Sequence, residues 1–115
     1  MHYLALIYSS PAAAPAFGSP EFGKMMTDSN SFTAMLKEKG AFVAGDGLKP
    51  ATTATSIKVR GGKVETMDGP FAETKEHLGG YYLLNVPDLD SAMKYAAMIP
   101  TAAWGIIELR PVMDY

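Results

Sequence analysis

The sequence predicts an α+β domain: a ferredoxin-like split βαβ with an extra β-hairpin, its antiparallel sheet carrying two helices on one face. Three observations lead there. Two stretches with apolar residues at three- and four-residue steps, near residues 20–39 and 88–99, alternate with strand-like runs. Gly61-Gly62 separates two short extended segments as a two-residue hairpin turn does. The runs at 2–8 and 81–86 carry bulky groups on both alternating faces, which marks strands at the centre of a sheet.

A chain of 115 residues with 48% hydrophobic content fits one domain, residues 1–115, with enough apolar side chains for a core. Its formal charge of -2, with Lys and Arg scattered singly, provides no basic stripe for a phosphate backbone, so nucleic acid is not an expected partner. There is no Cys and no apolar run near the roughly 20 residues of a membrane span. The start, Met1 to Tyr8, lacks a basic leader and reads as a strand. A cytoplasmic protein without membrane contact is the expectation.

Residues 2–8 form the first strand, and the two prolines of the 9–18 stretch make it a loop. Ser19-Pro20-Glu21 is a helix start: a capping hydroxyl, a proline whose missing N–H costs nothing there, and an acid in the first turn. Phe22, Met25, Ser29, Phe32 and Leu36 make its inner stripe, with Gly40 as the stop. Ser29 breaks that stripe and leaves a polar notch able to line a pocket. Residues 41–45 are a short strand, followed by bends at Asp46-Gly47 and Lys49-Pro50. Residues 54–60 and 63–67 make the hairpin, an edge or arm. Residues 81–86 give the central strand, and Asp88 or Asp90 caps a helix with Leu89, Ala92, Met93, Ala96 and Ile99 as its buried stripe. Residues 104–112 are the last strand.

Two helices suffice for one face of the sheet. The other face, apolar along the first and fifth strands, is expected to meet a second copy of the chain, the two sheets closing into a dimeric α/β barrel.

No P-loop, dinucleotide-binding glycine pattern, nucleophile elbow or zinc-spaced histidine pair occurs, and neither metal nor cofactor is expected. The densest chemistry lies in Asp68-Gly69-Pro70-Phe71-Ala72-Glu73-Thr74-Lys75-Glu76. Asp68, at a strand end before a Gly-Pro turn, is a candidate catalytic carboxylate or a turn acceptor. Glu73, Lys75 and Glu76 are candidates for an acid–base set or an anion-and-cation clamp, or pair weakly with one another on an exposed turn. Phe71 is a stacking surface or a plug beneath the loop. His77 is a general acid or base, or an exposed helix-end histidine. Tyr8, Asp46, Arg60, Tyr82 and Arg110, at or near strand ends, are candidates to line a ligand cleft.

With Leu78-Gly79-Gly80-Tyr81-Tyr82 following it, this stretch resembles the signature of the YCII-related proteins of the DGPF type. The likeness continues through Tyr3-Leu4, Gly40 to Leu48, Asp88 to Ala97 and Glu108 to Val112. It implies a ferredoxin-like subunit in a dimeric α/β barrel. Members are mostly of unknown function and often encoded near alternative sigma factors, and a histidine and aspartate pair suggests enzymatic activity in the wider group. Asp46 matches that aspartate, whereas the first helix here has no histidine. The expected function is small-molecule binding in a cleft near residues 68–77, with catalysis there open. The alternative is a non-catalytic regulatory or interaction module linked to transcription.

Overall fold

The computed structural model describes residues 1–114. The chain runs β1 (His2–Ser9), α1 (Pro20–Glu38), β2 (Phe42–Gly47), a 3-10 turn (Ala51–Thr53), β3 (Thr55–Arg60), β4 (Lys63–Asp68), β5 (His77–Asn85), α2 (Leu89–Ala96), a second 3-10 turn (Pro100–Ala103) and β6 (Ile106–Pro111). Four strands form one sheet in the order β2-β5-β1-β6, and β3 with β4 forms a separate ribbon. Every pairing is antiparallel. The sheet is open, with β2 and β6 as edges, so one chain is a mixed α+β domain and not a closed barrel.

The start of α1 follows from its sequence. The Phe22 N–H donates to the Ser19 hydroxyl at 3.1 Å, satisfying an amide that has no partner within the helix. Gly40, at φ 71°, turns the chain away from the other end. Phe32 and Leu36 of α1, Tyr3 and Ala5 of β1, Leu84 of β5 and Ala92 of α2 share one buried cluster, so both helices cover the same sheet face. Leu36 and Leu84 are fully enclosed, each such burial worth about 1.5–3 kcal/mol. The shortest dimension, 19 Å, is that of one sheet layer and one helix layer. Leu4, Leu6, Tyr81 and Leu83 alternate with the core residues and lie outside the cluster, on the uncovered face.

Three details depart from the sequence reading. Leu89 and Met93 are 48% and 53% exposed, because the two-turn α2 packs through Ala92 and Ala96 and the stripe between them is narrow. β5 begins at His77, not at Tyr81, so His77 is a strand residue paired with Ser9 and not the end of a helix. Finally, Asp46 and Gly47, expected to bend the chain, continue β2 as strand residues paired with β5; β1 and β5 change register between Ile7 and Tyr8, and β2 and β5 between Phe42 and Ala44, as bulges. The sheet faces follow from these shifts: Asp46 stands opposite Tyr81, and Gly45 opposite Tyr82.

The ribbon is two-faced. Ile57, Val59 and Val64 share one side, exposed at 67%, 55% and 60%, while Lys58 and Glu65 pair at 3.4 Å on the other. Among the described residues no helix is long and apolar enough to cross a membrane.

Candidate functional site

The segment after the ribbon is held at its first turn. Gly69, at φ 89°, donates its N–H to the Ala54 carbonyl at 2.6 Å and accepts from the Ser56 hydroxyl at 2.8 Å. That positive φ is glycine's region, and here it redirects the chain off β4. On the opposite side, the Leu48 N–H donates to the Gly79 carbonyl at 2.9 Å, fastening the connection after β2 to the start of β5. Between these two fixed points lies a cavity of about 470 Å³.

Its walls are mainly apolar, from Leu48, Pro50, Ala54, Pro70, Phe71 and Leu78. Tyr8, Lys49, Glu76 and His77 add polar groups. The Glu76 Oε2 atom is buried without a hydrogen-bond partner. The Thr74 hydroxyl donates to the Glu76 carbonyl and so fixes the backbone there without reaching the carboxylate. A carboxylate oxygen without a partner is costly in an apolar wall, and a hydrogen-bond donor relieves that cost. In chemical terms, the cavity combines a carboxyl group, an ammonium, an imidazole and a phenol with a hydrophobic enclosure.

Of the sequence-predicted residues, Tyr8, Phe71, Glu76 and His77 meet in this cavity. Phe71 is nonetheless 85% exposed and also lines a groove on the ribbon with Ile57 and Met67. Asp68 ends β4 on the surface. Glu73 and Lys75 are exposed and alternate with the lining residues Ala72, Thr74 and Glu76. Arg110 forms an exposed pair with Glu108 at 2.7 Å on β6.

Asp46 and Tyr82 line a second cleft, of about 550 Å³, together with Ser29 and Thr33 of α1. The polar notch at Ser29 therefore does line a pocket. Thr33 donates to the Ser29 carbonyl at 3.0 Å, and its oxygen lies 2.8 Å from the Tyr82 phenol. Asp46 accepts from the Tyr81 hydroxyl at 2.9 Å, and this bond to a carboxylate raises the Tyr81 pKa above the ordinary phenol value. Lys49, Thr53 and the 3-10 turn were not singled out in sequence. Their one local signal was the Lys49-Pro50 bend, which says where the chain turns and not what it turns against.

Fold and site define a small two-layer α+β domain with a ligand-sized cavity under a loop between the ribbon and the central sheet. The YCII-related domain matches residues 1–115, and the chain belongs to that family. It is 33% identical over 117 residues to an uncharacterized protein of Rhizobium meliloti (strain 1021), covering 100% of this chain and 94% of that relative.

Proposed function

We propose that this protein binds a small molecule in the cavity beneath Asp68–His77. The observation that carries the reading is the partnerless Glu76 oxygen in a mainly apolar enclosure of ligand size. Any proton transfer in that cavity falls to His77 and Glu76, while Asp68, Glu73 and Lys75 act at its rim. A fragment panel titrated into the full chain, followed by amide chemical shifts, tests it. Binders are expected to move Tyr8, Thr53, Ala72 and His77 together; binders that move only other surfaces would remove the site.

The same reading makes the chain a DGPF-type member, supported by the run Asp68 to Glu76, and a ferredoxin-like subunit, supported by the strand order β2-β5-β1-β6. It works as a homodimer joined through the uncovered face of the sheet, supported by the apolar Leu4, Leu6 and Leu83 there. A cytoplasmic setting goes with it, since a chain without cysteine needs no oxidising compartment.

The second reading, a non-catalytic interaction module linked to transcription, is favoured by the bare apolar side of the ribbon. It requires that Ile57→Ser with Val64→Ser abolish capture of a specific protein partner while leaving cavity binding intact.

A further inference from the structure

We infer that the ligand of the cavity is a cation: an ammonium or amidinium head on a compact apolar or aromatic body. This rests on the small-molecule reading above and adds the chemical class. Three features of the cavity lead to it.

First, Glu76 Oε2 is buried and receives no donor from any described residue. A carboxylate only accepts hydrogen bonds, so its missing partner carries N–H or O–H. Glu76 lines the cavity, and a rotation of its carboxylate there would meet a positively charged donor, which supplies the hydrogen bond and the opposite charge together. Second, Tyr8 and Phe71 line the same space, and aromatic faces attract cations while repelling anions. Third, Pro50, Ala54 and Leu78 give the enclosure an apolar stretch that suits a hydrocarbon body.

Lys49 is the internal competitor. It lines the same cavity, yet it makes no ion pair with Glu76 among the described residues. Its flexible stem lets it swing toward solvent when a ligand cation enters. Lys49 therefore weakens ligand binding by repulsion, and its removal strengthens it.

The test uses three probes of one shape: phenethylammonium, phenethyl alcohol and phenylacetate. Each is titrated into the full chain at pH 7 and followed by amide chemical shifts. Phenethylammonium is expected to move Tyr8, Glu76 and His77 and to bind at least about tenfold tighter than the alcohol, a difference of about 1.4 kcal/mol. Glu76→Gln should erase that preference, with the spectrum outside the cavity unchanged, and Lys49→Met should keep or increase it.

Equal or tighter cavity binding of the alcohol or phenylacetate overturns the cation and leaves the small-molecule reading standing. An unchanged preference in Glu76→Gln also overturns it. If no probe moves the cavity residues, both readings fail. Should Glu76→Gln not fold, the ranking of the three probes on the unaltered chain decides alone.

Discussion

Thr33 and Tyr82 touch hydroxyl to hydroxyl at 2.8 Å, across 49 residues of sequence, and tie α1 to the central strand β5. Thr33 has a single proton and gives it to the Ser29 carbonyl, so Tyr82 is the donor between them. Its ring is also set edge-on to Phe32 and Phe42, at centroid distances of 5.3 and 6.3 Å. One side chain thus supplies a polar tie and an aromatic anchor in the same layer.

Tyr82→Phe removes the tie and keeps the ring. A loss of about 1 kcal/mol is expected in urea denaturation, against about 3 kcal/mol or more for Tyr82→Ala, which also leaves a void. Equal losses for the two variants would mean that packing contributes nothing here.

Gly45 is small because Tyr82 lies over it. A Cβ there would stand 2.6 Å from Tyr82 Cδ1 and 3.1 Å from the Tyr81 carbonyl. Gly45→Ala should cost about 1–3 kcal/mol through displacement of the ring. Combined with Tyr82→Ala, the same alanine should cost far less, and the double-mutant cycle measures that coupling.

The Tyr81–Asp46 bond has a pH signature. Because the folded pKa of Tyr81 is raised, its contribution to stability is complete below the unfolded phenol value, about 10, and fades as pH rises through the folded value. Asp46→Asn should shift the Tyr81 ultraviolet titration back toward lower pH. A titration that does not move would place the carboxylate elsewhere in solution.

Asp88 works at the acid end. It caps α2 by accepting the Ser91 N–H at 2.8 Å, chiefly through which its own pKa is lowered. The resulting stability is full above the unfolded carboxylate value and is lost as pH falls through the lower folded one. Asp88→Ala should lower the denaturation midpoint at pH 7, and the gap to the wild type should close in acid. Asp88→Asn should keep most of the cap and lack that pH dependence.

Leu6 sits mid-sheet on the uncovered face, opposite Tyr81 on one side and Glu108 on the other. Leu6→Lys is expected to turn the proposed dimer into a folded monomer by light scattering at micromolar concentration. A wild-type monomer under those conditions would remove the proposal.

Much of the fold was legible because it is written in periodicity. The alternating core residues Tyr3 and Ala5, and the stripe of Phe32 and Leu36, are local patterns that burial enforces over several residues. Leu89 and Met93 stay exposed although their spacing fits a stripe, because the length of α2 and the closeness of its alanines decide which part of that stripe reaches the sheet. The site was legible only in outline. Tyr8, Phe71, Glu76 and His77 each stand out in sequence for a separate reason, and their meeting depends on where the 3-10 turn and Gly69 send two chain segments toward each other. Glu76 resembled its charged neighbours Glu73 and Lys75 in sequence. Only the alternation of the folded segment turns it to the cavity.

The direct pairing of β2 with β5 gives the intervening chain an unusual freedom. Everything between Gly47 and His77 is one excursion that leaves the sheet and returns beside its point of departure, where Leu48 bonds to Gly79. No residue in it belongs to the buried cluster. Changes of length or sequence in this excursion would therefore reshape the cavity without renegotiating the core, so that the shape of the cavity is separable from the ability to fold.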